Sequence, residues 1–137
     1  MLGKTRREEV RGLLDDYVAR IRRYAEIVVT EIREATPAAL RKLKMEPGAT
    51  LVLLDAAGHQ FTSQEFARWL GGLRDHASRE VVFLCGDAEG FPSELRTRAT
   101  QRISLSSFTM PHEFARVVLA EQIYRAFAIL AGHPYPK

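Results

Sequence analysis

The stretch Ile103-Ser104-Leu105-Ser106-Ser107-Phe108-Thr109-Met110-Pro111-His112 sets hydroxyl side chains and a histidine directly before a long apolar segment that ends at Leu130. Such a loop offers a ligand hydroxyl donors and acceptors, and a helix start adds free backbone N–H groups. The same residues can equally cap and turn the chain, with Pro111 in the first helical turn and Thr109 or Met110 near the cap. Both uses are compatible. His112, at the helix start, reads either as a neutral hydrogen-bond partner for a ligand or as a structural one. A second small-residue loop, Gly86-Asp87-Ala88-Glu89-Gly90, follows another apolar run. Its spacing is neither the dinucleotide fingerprint nor a P-loop, so it is either a ligand loop or an ordinary strand-to-helix turn.

Other chemistries find little support. His59, His76 and His133 show no metal-ligand spacing with one another, and there is no HExxH motif or nucleophile elbow. Cys85 is the only cysteine, which excludes an internal disulfide and a cysteine-based metal site and suits a reducing compartment. On the final apolar segment, Arg116 falls one turn after His112 and could face the same crevice. Glu121 and Arg125 are four apart in the order that favours a salt bridge.

The elements that must hold these loops follow from periodicity. Residues 5–23 read as a helix with Val10, Leu13, Leu14, Val18 and Ile21 on one face. Residues 25–33 read as a strand centred on Ile27-Val28-Val29, and Thr36 before Pro37 as the start of a short helix. Glu46-Pro47-Gly48 marks a turn. Thr50–Leu54 and Glu80–Cys85 are continuous apolar runs, typical of strands buried on both faces, and Asp55-Ala56-Ala57-Gly58 ends the first. Thr62 or Ser63 opens a helix to about Leu73, with Glu65 placed for a capping box. Ser93 begins another to about Thr100, Gln101–Ser104 is a last short strand, and Pro111–Leu130 is the final helix, stopped by Gly132-His133-Pro134. Alternating strands and helices predict one α/β domain over 1–137 with a mostly parallel sheet. In such sheets ligands bind beyond the carboxyl ends of the strands. Leu54-Asp55 and Cys85-Gly86 are such ends and Ser104-Leu105 is a candidate third, so three loops could converge on one crevice. The final helix is apolar on more than one stripe. It therefore needs more than one packing partner, and a symmetric dimer with this helix in the interface is expected; the alternative is a central helix fully buried in the monomer.

Composition sets outer bounds. The chain has 137 residues, 46% of them hydrophobic, enough for one packed domain. Eleven of its 20 Lys+Arg residues lie in residues 1–44. That clustering fits a phosphate-facing surface, or a solvated helix face with interleaved acids. No charge-free stretch is long enough to span a bilayer, and the charged start leaves no room for a signal peptide, so a cytoplasmic protein is expected.

At these residues the chain resembles the SPOUT-class methyltransferases that modify large-subunit rRNA, of the RlmH type. The matching stretches are Leu54–Gly58, Ser63–Ala67, Gly86–Gly90, Ser104–His112, Glu121–Ala126 and the tail His133-Pro134-Tyr135. They span essentially the whole chain in order. The resemblance implies an α/β fold with a C-terminal trefoil knot, a homodimer through the C-terminal helix, and S-adenosyl-L-methionine as cofactor. Carried over residue by residue, the cofactor contacts are Leu54, Gly86, Leu105, Ser106, Ser107, Phe108, Thr109 and Met110. The implied reaction is methylation of N3 of pseudouridine 1915 in 23S rRNA of the assembled ribosome. The tail of one protomer would reach the other's site. His112, Arg116, Tyr135 and Lys137 are the candidates for catalytic roles, and no metal is implied.

Three departures from the family pattern bear on function. The family opens with a strand before a Gly-Lys pair, whereas only Met1-Leu2 precede Gly3-Lys4 here, so that strand is expected to be missing. Asp87 stands where paired glycines are usual. The tail reads Tyr135-Pro136-Lys137 where a histidine usually follows the tyrosine. These departures keep open a second class, a non-catalytic dimeric RNA- or ribosome-binding protein of the same fold. A third option is a methyltransferase acting on a small molecule.

Overall fold

The computed structural model describes residues 7–31, 36, 38, 41, 48–75, 80–86 and 91–135. Helix α1 spans Glu8–Ile21, with Glu8 and Glu9 at its positive end and Arg20 at its negative end. Val10, Leu14, Val18 and Ile21 form its buried stripe, while Leu13, assigned to that stripe from the sequence, is 53% exposed. Residues 26–31, expected as a strand, pair with no sheet strand among the described residues, and Val28 is 80% exposed. A run of β-branched residues becomes a strand only where an edge and a packed face receive it, and here only Ile27 reaches the core. The short helix after Thr36 and the expected missing first strand fall mostly or wholly outside the described residues.

Among the described residues three parallel strands form the sheet in the order β2-β1-β3: β1 (Thr50–Gln60), β2 (Val81–Cys85) and β3 (Gln101–Ser104). The crossovers are α2 (Ser63–Asp75) between β1 and β2, and α3 (Ser93–Arg98) between β2 and β3; α4 (His112–Leu130) follows β3. Both faces of the sheet are covered. Val52 points with Cys85 and Ile103 into a core shared with α1, α2 and α4. Leu51 and Leu53 point the other way, to Leu84, Phe91 and Leu95 beneath α3. This two-sided burial explains the continuous apolar run in β1.

The strand β1 does not stop at Asp55, as its turn residues suggested. Asp55 Oδ1 accepts the Ala57 N–H at 3.0 Å, a local Asx turn, and then pairing resumes. Leu54 and His59 both align with Ile103, so the chain bulges between them and rejoins β3 at Gln60↔Ser104. At Gly58 an added Cβ would lie 2.7 Å from the Arg102 carbonyl carbon and 2.7 Å from the Ile103 nitrogen. Only glycine permits this backbone approach.

The capping box of α2 forms as its spacing predicted. The Thr62 N–H donates to Glu65 Oε1 at 2.8 Å and the Glu65 N–H to Thr62 Oγ1 at 3.1 Å. At its far end, α4 closes in a Schellman turn. Gly132 adopts φ +68°, its N–H bonds to Ile129 and the His133 N–H bonds to Ala128. The two stripes of α4 find their partners within the chain, α1 on one side and α2 on the other. Gly71 of α2 lets Leu130 approach so closely that a Cβ would meet its Cδ2 at 2.8 Å. The apolar circumference of α4 is therefore largely used by the monomer, with Phe114 and Ile129 left 43% and 40% exposed.

Candidate active site

The register brings the three expected loops together. Cys85, Leu54 and Ile103 stand side by side across the sheet, since Leu54 pairs with Cys85 on one edge and with Ile103 on the other. Gly86 and Ser104-Leu105 therefore leave the sheet at the same carboxyl end, beside half-buried Leu54. A Cβ on Gly86 would lie 3.2 Å from the Phe91 ring, so the position has little room for a side chain. Asp87 and the rest of that loop lie outside the described residues.

The loop after β3 is shaped by its own hydroxyls. Buried Ser104 donates from Oγ to the Ser106 carbonyl at 3.0 Å, and Ser106 Oγ accepts the Phe108 N–H at 2.9 Å. Ser107 Oγ accepts a bond from Gln60 Nε2 at 3.0 Å. Gln60, absent from the sequence-based site, ties the loop to the resumed half of β1. Its signal was hidden because Asp55–Gly58 reads as the end of the strand. Thr109 is exposed, Leu105 and Met110 are half-buried, and Phe108 is 85% exposed at the loop tip.

Pro111 is the N-cap residue of α4 rather than its first helical residue, with extended ψ 139° and no side-chain cap bond. Glu113, in the first turn, accepts the Arg7 N–H at 3.2 Å and so joins the start of α1 to the start of α4. His112 is exposed at this helix start. Arg116, one turn on, is fully buried. The shared crevice foreseen for the pair is thus split by burial, with His112 at the surface and Arg116 inside. The Arg116 charge acts on Cys85, the last residue of β2, a strand that α4 contacts. Burial dominates there and pushes the Cys85 thiol up to about 11, with Arg116 opposing the shift.

That shift predicts inertness in the native state. Cys85 should react with thiol reagents at neutral pH only as fast as the chain opens. The sign for stability follows from linkage. Between about pH 9 and 11 the unfolded chain loses the thiol proton while the folded chain keeps it, so stability falls across that window. A thiol-labelling rate that matches a free cysteine in the folded protein would contradict this.

The tail is held by another cluster. Arg125 pairs with Glu121 at 2.8 Å, as the spacing predicted, and its guanidinium lies 4.6 Å over the Tyr135 ring. Tyr124 meets Tyr135 edge-on at 4.8 Å. Burial pushes the Tyr135 phenol up to about 12, helped by a hydrogen bond with Tyr17 and by the Glu121 charge. Tyr124 is twelve residues along α4 from His112, about 18 Å at helical rise. Tyr135 therefore does not join the loop after β3 within its own chain. Lys137 lies outside the described residues.

Among the described residues no group of three or more His, Cys, Asp or Glu side chains gathers to hold a metal ion, and no helix is long and apolar enough to cross a membrane. The carboxyl end of the sheet instead presents backbone groups and short hydroxyls, suited to holding one reactant against another rather than to nucleophilic attack.

Comparison with known proteins points to one family. Residues 1–136 match the family model described as predicted SPOUT methyltransferase. The chain is 42% identical over 137 residues to the ribosomal RNA large subunit methyltransferase H of Koribacter versatilis, covering 98% of this chain and 92% of that one. It is 44% identical over 144 residues to the protein of the same name in Geotalea daltonii, covering 98% and 94%. For that of Geobacter sulfurreducens the identity is 43%, with the same coverage.

Proposed function

We propose that this chain, which belongs to the SPOUT methyltransferase family, is an enzyme that methylates ribosomal RNA of the large subunit. The observation that carries this reading is the convergence of Leu54, Gly86 and the loop after β3 at one end of the parallel sheet. Near-full-length identity above 40% to several relatives named for that activity supports it. The finer reading is transfer of a methyl group from S-adenosyl-L-methionine to N3 of pseudouridine 1915 of 23S rRNA, by a cytoplasmic homodimer with a knotted C-terminal half.

Leu54, Gly86 and Leu105–Met110 would hold the cofactor, largely through backbone groups. When bound, S-adenosyl-L-methionine supplies an electrophilic methyl on a sulfonium. The protein's own task is alignment, which is worth roughly 7–11 kcal/mol where two reactants are well placed. Gln60 and Ser106 keep the loop in one shape. Arg116 acts as a positioning residue, since it has no exposed surface. His112 is placed at the surface beside the loop, where it can hydrogen-bond the incoming base. The N3 proton must leave before or during transfer. Tyr135 is unsuited to take it, because a phenol with its pKa near 12 stays protonated at neutral pH and serves as a hydrogen-bond donor. Tyr135 and Lys137 are read as orienting RNA at the partner's site; the 18 Å offset along α4 and the exposed Phe108 and Phe114 support that trans arrangement.

The test is methyl transfer from labelled S-adenosyl-L-methionine to large ribosomal subunits that lack the modification. Label at N3 of the pseudouridine in assembled ribosomes is expected. A folded chain that labels neither ribosomes nor free rRNA would instead favour the binding-module reading, and label on small molecules alone would favour the third.

A further inference from the structure

All four tyrosines of the chain, Tyr17, Tyr24, Tyr124 and Tyr135, converge on one face between the end of α1, the middle of α4 and the tail. Beside them a groove is lined by Asp16, Ala19, Arg20, Arg23 and Tyr124. Arg20 is fixed in place: it pairs with Asp16 at 3.3 Å, and its guanidinium lies 5.5 Å from the Tyr17 ring and 5.6 Å from the Tyr124 ring. Arg23 leaves the same turn, its N–H bonded to the Arg20 carbonyl at 3.2 Å, and is exposed. Ala19 completes the lining with a short side chain.

We propose that this groove binds a nucleotide of the rRNA substrate outside the reacting base, with its phosphate on Arg23 and Arg20 and its base against the tyrosine rings. The inference rests on the rRNA reading above and adds a contact surface to it. Arginines supply phosphate binding without sequence preference, and aromatic faces supply stacking that accepts any base. Tyrosine suits such a place because one end of the ring is apolar and the other tolerates water. The groove is continuous with Tyr135 through Tyr124, so a strand lying in it would run toward the tail. The charge of Arg20 is already shared with Asp16, which makes Arg23 the chief source of net positive charge in the lining.

The test compares the full-length chain with its Arg23→Glu and Arg23→Lys variants for binding to purified large ribosomal subunits over a range of salt concentrations. Arg98→Glu, an exposed charge on α3, controls for net charge. Arg23→Glu is expected to weaken binding at least tenfold and to lower the slope of log affinity against log salt by about one. Arg23→Lys should restore the slope, and Arg98→Glu should change binding far less. S-adenosyl-L-methionine affinity and oligomeric mass should stay unchanged. A parent chain that binds subunits while Arg23→Glu binds equally well overturns this inference alone. Loss of binding together with a change in oligomeric mass also overturns it, by making the groove a contact between copies of the chain. A parent chain that does not bind subunits overturns the rRNA reading and this inference with it.

Discussion

Gly58→Ala should destabilise the chain by roughly 3 kcal/mol or more, and Gly58→Val should prevent stable folding. A Cβ there meets backbone atoms of Arg102 and Ile103 at 2.7 Å, and backbone in a paired strand cannot step aside as a side-chain tip can. Relief requires β3 to separate from the resumed half of β1. That would also move Gln60 away from Ser107 and release the loop that Gln60 ties down. The expected result is a large drop in the urea midpoint together with weaker cofactor binding. Gly72→Ala is the matched control. Nothing lies within 4 Å of the added Cβ, and a helix-interior alanine should be neutral or stabilising by up to about 1 kcal/mol. Equal midpoints for Gly58→Ala and the parent would show that the bulge is not packed as described.

Arg116→Ala should cost about 2–5 kcal/mol, because it removes a fully buried side chain and leaves a void. Arg116→Met separates volume from charge. Methionine retains much of the length and flexibility of the side chain but not the charge, so the variant should fold with a smaller loss. If this buried charge positions the site, Arg116→Met should bind S-adenosyl-L-methionine more weakly or turn over at least tenfold more slowly while staying folded. A folded Arg116→Met with parental binding and turnover would confine Arg116 to packing.

Much of this architecture was legible in the sequence because the patterns behind it are local. The apolar runs at 50–54 and 80–85, the Thr62/Glu65 capping box and Gly132 beyond α4 each announce an element by one physical requirement, and each element formed. The misreadings share a cause, namely that tertiary pairing decided what local residues left open. Asp55–Gly58 makes a real turn, yet β3 recaptures the chain beyond it, which extended β1 and concealed Gln60. Ile27-Val28-Val29 has strand propensity but no strand to pair with among the described residues. Arg116 looked like a partner of His112 on a helix face. Its burial depends on the fit of α4 against the sheet and its neighbouring helices, which periodicity does not reveal. The excess apolar surface of α4 had two explanations in the sequence, and packing against α1 and α2 accounts for most of it.

The central claim, that the carboxyl end of this sheet is a methyl-donor site, is tested most directly by calorimetric titration of S-adenosyl-L-methionine into the purified, folded chain. Saturable binding near one site per chain, weakened by Gly86→Val, is the predicted result. No heat of binding from a chain that melts cooperatively would contradict it.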